Sequence, residues 1–149
     1  MPSRREVIAM TPQEVDAYLR EQRRIILVTI GPDGFAHPLP MNYGIDDEGR
    51  VIMTSFAKAQ KVKNLERDSR ATLLVESGHS YSELRSVILY CDTEIIRDFD
   101  ECERLRKFMR VANATAAPQR REQIDATMHK RVVMRFTARK VVSWDHAKL

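Results

Sequence analysis

Apolar and polar positions divide the chain into short strands and helices. The segment Arg24–Ile30 is apolar and β-branched almost throughout, which predicts a strand buried on both faces. Three further segments have the same character and are also predicted strands, at residues 50–54, 70–76 and 86–97. The last strand is predicted over residues 131–136, where apolar and polar positions alternate, and it continues over 140–144 after a predicted bulge.

Turn residues separate these strands. Residues 31–34, Gly-Pro-Asp-Gly, follow the first strand, so residues 35–45 are predicted to return beside it as a hairpin, and residues 46–49 make a second turn. Pro38 and Pro40 lie two positions apart in the returning strand, so both missing N–H groups face the same edge. That edge cannot join a hydrogen-bonded ladder and is left for a loop, solvent or a bound ligand.

Helical spacing predicts four helices. The first begins at the N-cap Thr11, has Pro12 at its first position and Glu14 in a capping box, and ends near Gln22. The second covers about residues 59–68, with Val62 and Leu65 facing inward. The remaining two are predicted from a cap at Asp98 or Asp100 to about Asn113, and over residues 119–129 with Ile124 and Met128 as apolar anchors.

The order of these elements predicts the fold class. Six or seven strands follow one another without crossover helices, so the sheet is expected to be antiparallel and to close into a barrel with flanking helices. The protein is therefore predicted to be mainly β. A chain of 149 residues fits a single domain spanning residues 1–149.

Composition and charge narrow the function classes. With 43% hydrophobic and 31% charged residues, and no apolar run near the roughly 20 residues of a membrane span, the chain is predicted to be soluble and cytoplasmic. A net charge of +4 could serve an anionic small molecule or a nucleic acid. Basic runs are short and no aromatic residues alternate with them, so nucleic-acid binding is a minor alternative.

Several kinds of catalytic chemistry have no signal in the sequence. Cys91 and Cys102 lack paired spacing, which favours free buried thiols over a disulfide or a metal site. The histidines fall in unrelated segments, so no metal site is predicted. No nucleophile elbow, Walker A sequence or dinucleotide fingerprint is present either. An enzyme of this sequence would therefore take its chemistry from an organic cofactor.

The junction between the third predicted strand and its helix could bind an anion. The strand ends in Thr54 and Ser55, and Lys61 lies in the first turn of the following helix. Backbone N–H groups, hydroxyls and an ammonium then meet at one point, which suits a phosphate. The alternative is a surface hairpin followed by an ordinary amphipathic helix, and both interpretations stay open on local grounds.

Six segments together point to a family. They are residues 34–43, 51–55, 60–68, 71–75, 81–87 and 143–149. In their order and spacing they resemble the pyridoxamine 5′-phosphate oxidase-like split-barrel proteins, and are most similar to the small members that depend on flavin or on the deazaflavin F420. The resemblance implies a six-stranded Greek-key split barrel and a homodimer. It also implies an oxidoreductase in which FMN or F420, held between the subunits, exchanges a hydride with a small conjugated substrate.

The resemblance also implies which residues bind the cofactor. The ring would be lined by Pro40, Met41, Asn42 and Tyr43. Thr54 and Ser55 would flank the ribityl chain and phosphate, and Gln60 and Lys61 would hold the phosphate, with Asn64 behind them. Trp144 would close the groove from the partner subunit, or alternatively would be a core aromatic residue.

The resemblance leaves the cofactor, the reaction and the catalytic residues undetermined. The longer anionic tail of F420 would need further cations, for which Arg4, Arg5, Lys58 and Lys63 are candidates. The C-terminal arginine and histidine with which pyridoxamine-phosphate oxidases hold their substrate have no counterpart here, so that reaction is not implied. No catalytic side chain is identified. The main alternative is a non-catalytic protein of the same fold that binds flavin, F420 or haem.

Overall fold

The computed structural model describes residues 1–109, 122–123 and 126–149. The helices with described bounds are α1 (Arg4–Ile8), α2 (Pro12–Glu21), α3 (Gln60–Arg67) and α4 (Phe99–Arg106). The strands are β1 (Arg24–Ile30), β2 (Ala36–Asn42), β3 (Gly44–Ile45), β4 (Val51–Phe56), β5 (Arg70–Ser77), β6 (Arg85–Ile96) and β7 (Arg131–Asp145). Short 3₁₀ turns lie at Tyr81–Glu83, Met128–Lys130 and His146–Lys148.

The seven strands form one antiparallel sheet that curls on itself. Their order across the sheet is β2-β1-β5-β6-β7-β4-β3. β2 and β3 therefore lie at opposite ends of the sheet, although only Tyr43 separates them in sequence. Because one residue can bridge the two ends only if they are close together, the sheet must curl into a barrel. The structure thus has seven strands rather than the six that the resemblance implies, because the returning segment is divided at Tyr43 into β2 and β3.

Local chemistry at the turns fixes the hairpins. Gly34 and Gly49 adopt φ angles of +86° and +78°, a region that side chains disfavour. Between β3 and β4, the buried Asp46 accepts hydrogen bonds from the backbone N–H groups of Glu48 and Arg50, at 2.9 and 2.8 Å. The side chain of Asp46 thus shapes the tight turn that the sequence predicted.

The core lies inside the barrel and beneath α2. Alternate residues of β1 and β5 point inward, and α2 adds Val15, Tyr18 and Leu19. Thr11 caps α2 in the predicted capping box with Glu14. A second, smaller cluster forms outside the barrel where α4 covers β4, and it contains Ile52, Ile96, Cys102, Leu105 and Val133.

The structure corrects one predicted helix bound and adds a helix that was not predicted. Asp98 caps α4 as expected, but the helix ends at Arg106 rather than near Asn113. The chain leaves the helix because Met109 pairs with Gly44, and a Cβ at Gly44 would lie 2.3 Å from the Phe108 carbonyl oxygen. Helix α1 was not predicted, although Ser3 and Glu6 form a capping box there.

The predicted fourth helix falls partly outside the described residues. Residues 122–123 and 126 are helical, whereas positions 110–121 and 124–125, including Ile124, are not described. The bulge predicted in the last strand is confirmed, since the β6–β7 register shifts so that Tyr90 faces Lys140 and Cys91 faces Ala138. In the described part of the chain, no helix is both long and apolar enough to cross a membrane.

Candidate functional site

Helix α3 begins without a side-chain cap. Its N-cap residue is Ala59, and its first turn carries no acidic residue. The backbone N–H groups of Gln60 and Lys61 reach no acceptor among the residues that the structure describes. These groups and the helix dipole give the start of α3 a positive potential, which favours an anion.

Lys61 adds a positive charge at this point. Its side chain is partly buried, and its ammonium forms no ion pair with any described residue. Burial lowers the pKa of Lys61 below its usual value, and the nearby positive charge of Arg131 lowers it further. The site therefore holds a partly desolvated cation whose charge is not compensated by a carboxylate of any described residue.

Arg131 brings a second cation from a distant part of the sequence. It begins β7 and lies opposite Phe56, the last residue of β4. Its guanidinium lies 4.2 Å from the centre of the Phe56 ring, and its Nε donates to Thr127 Oγ1 at 3.3 Å. We call the start of α3, Lys61 and Arg131 together the anion corner. Arg131 was not predicted from the sequence, because only the pairing of β4 with β7 brings it here.

A buried polar link fixes α3 against the barrel. Asn64 is fully buried, and its Nδ2 donates to Thr29 Oγ1 on β1 at 3.0 Å. Its Oδ1 accepts from Gln60 Nε2 at 2.8 Å. Asn64 thus lies behind Gln60 and Lys61, and it connects the first turn of α3 to β1.

Thr54 and Ser55 do not share a face of β4. Successive strand residues point to opposite faces. Ser55 is buried toward the barrel interior, and its hydroxyl donates to the Phe56 carbonyl at 3.2 Å. Thr54 is partly exposed on the same face as Phe56, the ring beneath Arg131. Thr54 is therefore the hydroxyl that faces the anion corner.

The returning strand has the free edge that its prolines predict. β2 pairs only with β1 in the described sheet, with Pro38 opposite Val28 and Pro40 opposite Ile26. Pro40 and Asn42 are exposed and Met41 is partly buried. These three residues are thus accessible for contact with a flat ligand, and such contact stays a prediction.

Tyr43 and Trp144 do not lie with the other residues that were predicted to bind the cofactor. The Tyr43 side chain is buried, and its hydroxyl donates to the carbonyls of Leu19 and Gln22 at the end of α2. It therefore belongs to the core. Trp144 is half-buried near the end of β7, whereas Arg131 begins that strand, roughly 40 Å of extended chain away. Within a single chain the structure does not bring Trp144 to the anion corner.

The described residues contain neither a metal-binding cluster nor an exposed cysteine thiol. No group of three or more histidine, cysteine, aspartate or glutamate side chains in those ranges could hold a metal ion. Cys91 and Cys102 are free and buried, as predicted. Burial raises the pKa of the Cys91 thiol to about 12, so this thiol stays protonated and unreactive near neutral pH.

Comparison with known proteins gives a family match. The family model described as pyridoxamine 5′-phosphate oxidase matches residues 11–145 of the chain. A comparison with curated protein sequences gives no match. The match to the family model therefore covers almost the whole chain, including all ten residues predicted from the sequence to bind a cofactor.

Solved structures share the fold. The chain is similar to the crystal structure of the conserved hypothetical protein Rv2991 from Mycobacterium tuberculosis, with 33% sequence identity and a TM-score of 0.85, over 99% of this chain and 92% of that one. It is also similar to a FAD-binding protein from Mesorhizobium loti, with 16% identity and a TM-score of 0.69, over 91% and 93% of the two chains. A structure described as an F420 reductase shows 18% identity and a TM-score of 0.58, over 95% and 98%. At such low identity, the last two likenesses concern the fold.

Proposed function

The chain belongs to the pyridoxamine 5′-phosphate oxidase family, and on that premise we propose that it is an oxidoreductase that binds FMN or F420. One observation carries the proposal: Lys61 and Arg131 lie close enough to lower the pKa of Lys61, yet Lys61 has no acidic partner among the described residues. A lysine that has no carboxylate partner among the described residues and lies near a second cation favours an anionic ligand.

The residues of the anion corner fit a phosphate. A phosphate accepts hydrogen bonds and carries negative charge. The free N–H groups of Gln60 and Lys61, the Lys61 ammonium and the Arg131 guanidinium supply matching donors and charge. The partly exposed Thr54 adds a hydroxyl on the same face. We assign these residues to the phosphate that FMN and F420 both carry.

The rest of the binding groove would orient the cofactor ring. Pro40, Met41 and Asn42 lie on the strand whose proline edge is unpaired, so backbone and side-chain atoms there can contact a flat heterocycle. When bound, a flavin or deazaflavin supplies the hydride chemistry that the side chains lack. The role of this chain is then to hold the ring, exclude water and place a small conjugated substrate against it.

The choice between the two cofactors depends on further cations. Of the candidates for the F420 tail, Lys63 is paired with Glu66 at 3.6 Å, and Arg4 donates to the Tyr81 hydroxyl at 3.0 Å. Lys58 is exposed beside the anion corner and has no ion pair with a described residue. Lys130, next to Arg131, is also exposed. A single phosphate therefore has a full set of partners, and Lys58 and Lys130 are two cations next to the anion corner that are available for a longer tail.

We also propose that the active form is a homodimer. One apolar residue from each of five neighbouring strands forms a row across the outer face of the sheet, and the row contains Pro40, Ile26, Leu74, Ile88 and Val142. All five side chains are exposed or partly exposed. A second copy packed on this row would bury it. It would also let Trp144, on the same outer face, approach the partner's cofactor.

The test compares the cofactor affinity of a Lys61 variant with that of a variant at another lysine of α3. We expect Lys61→Ala to weaken FMN or F420 binding by about 1–3 kcal/mol, the range for losing a charge-assisted hydrogen bond. Lys63→Ala is the matched control, because Lys63 is exposed and already paired with Glu66. Titration followed by fluorescence gives both affinities. Equal affinities for the two variants would show that the phosphate lies elsewhere.

A non-catalytic binder of the same fold is the second candidate. It is favoured by the residues of the anion corner and of β2, because they are suited to holding a ligand and none of them is assigned a role as a general acid or base. The absorption spectrum of the purified protein separates a bound flavin, deazaflavin or haem. Rapid mixing of the reduced holoprotein with conjugated acceptors then decides between the candidates, because a pure binder would reoxidise no faster than free cofactor.

A further inference from the structure

The barrel has an opening far from the anion corner. β4 pairs with β7 only as far as Val51 opposite Phe136. Beyond Phe136, β7 pairs with β6 on one side and has no described strand on the other. Helix α1 and the start of α2 lie across this gap, fixed by Met10 N donating to Ser143 Oγ and Lys148 Nζ donating to the Ala9 carbonyl, both at 2.9 Å.

A pocket of about 860 Å³ occupies this opening. Its volume falls in the range of small-molecule sites, roughly 300–1,000 Å³. Core side chains form its floor, among them Leu89 and Phe136, and Val141 lies on its wall with 47% exposure. Phe56, at the anion corner, lies five residues along β4 from Val51, which also lines the pocket, so the two sites are roughly 17 Å apart.

The wall formed by α1 is incompletely packed. None of the five residues of α1 is buried, and Val7 is 42% exposed. A helix that short is not stable on its own and depends on contacts with its surroundings. A molecule in the pocket would add such contacts, so ligand binding and the docking of α1 should stabilise each other.

The charged side chains that line the pocket determine which kind of ligand it can bind, and three of them already have partners. Among the acidic lining residues, Glu6 accepts from the Ser3 N–H at 2.5 Å, and Asp16 pairs with Arg20 at 2.9 Å. The lining cation Arg50 is held by Asp46 at 3.1 Å and Glu48 at 3.2 Å.

Two further cations line the pocket. The Lys140 ammonium lies over the Tyr90 ring, 5.7 Å from its centre. Arg5 lines the pocket without an ion pair or hydrogen bond to any described residue. Because Arg50 is already paired, Arg5 is the lining guanidinium that is available to a ligand.

From these observations we propose that the pocket at the barrel opening binds an amphipathic carboxylate, with its aliphatic chain on the apolar floor and its carboxylate on Arg5. Apolar walls with one available guanidinium at the rim are complementary to such a molecule. The site is separate from the anion corner, and it does not depend on the identity of the cofactor.

Calorimetric titration of the full chain with decanoate tests the proposal. We expect one decanoate per chain and about tenfold weaker binding by Arg5→Gln, the effect of losing one charge-assisted contact. Arg4→Gln is the matched control, because Arg4 neighbours Arg5 on α1 but bonds Tyr81 and does not line the pocket. Val141→Trp fills the pocket from an exposed position and should abolish binding.

Three results would overturn the proposal. The first is no decanoate binding to the wild-type chain. The second is equal binding of decanoate and decylammonium, or binding that survives Val141→Trp, since either indicates adsorption to an exposed apolar surface. The third is loss of decanoate affinity in Lys61→Ala, or competition between decanoate and FMN, since either places the ligand at the anion corner.

Discussion

Lys61 shows how a single side chain depends on its surroundings. Exposed lysines normally keep a pKa near their usual value of 10.5. Here burial and the charge of Arg131 both disfavour the ammonium form, so holding the Lys61 side chain charged has an electrostatic cost. A bound phosphate removes much of that cost, because it brings a negative charge to the Lys61 ammonium.

We therefore expect cofactor affinity to depend on pH through Lys61. The ammonium is fully present below its lowered pKa and is lost as the pH rises through it, so affinity should fall on the alkaline side earlier than for an ordinary lysine. Dissociation constants measured from neutral pH to about pH 10 give the profile. Lys61→Ala should flatten this alkaline limb. An alkaline limb unchanged in that variant would assign the titration to another group.

At the scale of the element, α3 is positioned by polar as well as apolar contacts. Val62 and Leu65 bury its apolar face. Asn64 adds the bond to Thr29, and the guanidinium of Arg67 donates to the Ile30 carbonyl. Both polar contacts reach the end of β1. The direction in which α3 presents its N-terminus to the anion corner is therefore fixed by these contacts with the barrel.

Removing the buried side-chain amide of Asn64 should weaken the attachment of α3 to β1. We expect Asn64→Ala to lower the free energy of unfolding by about 1–3 kcal/mol, because Thr29 loses a buried partner. Thr29→Val removes the same hydrogen bond from the other side with little change of shape. The double variant should cost less than the sum of the single ones, as measured by urea unfolding. Fully additive costs would show that the two residues act independently.

At the scale of the whole molecule, the outer apolar row links assembly to function. Its five residues come from β2, β1, β5, β6 and β7, and they are neighbours only because the sheet pairs in this order. The same outer face carries Trp144, whose place in one subunit is distant from the anion corner. A homodimer would explain both features.

Ile88 lies in the middle of the row and is the residue to change. We expect Ile88→Glu to convert a dimer into a monomer, because a charge at the centre of an apolar interface is costly to bury. Sedimentation velocity measures the change. Phe99→Glu, at an exposed apolar position of α4 outside the row, is the control. A monomeric wild-type protein, or a dimer that survives Ile88→Glu, would exclude this interface.

Much of the fold could be predicted because it is encoded locally. The bounds of β1 agree with the apolar run Arg24–Ile30, and α3 agrees with its predicted range to within a residue at each end. Turn residues and the Thr11 cap affect only the backbone within a few residues, so the structure they produce can be predicted from the local sequence. The two prolines of β2 likewise identified the unpaired edge of the sheet.

The sequence by itself determined the strands, the turns, the capped helix α2 and the lysine at the start of α3. Only the tertiary structure placed Arg131 beside that lysine, set Asn64 against Thr29, turned Tyr43 into the core and left a pocket at the barrel opening. The physical reason is that strand pairing and curling of the sheet join residues far apart in sequence. No local pattern specifies which distant partner each strand receives.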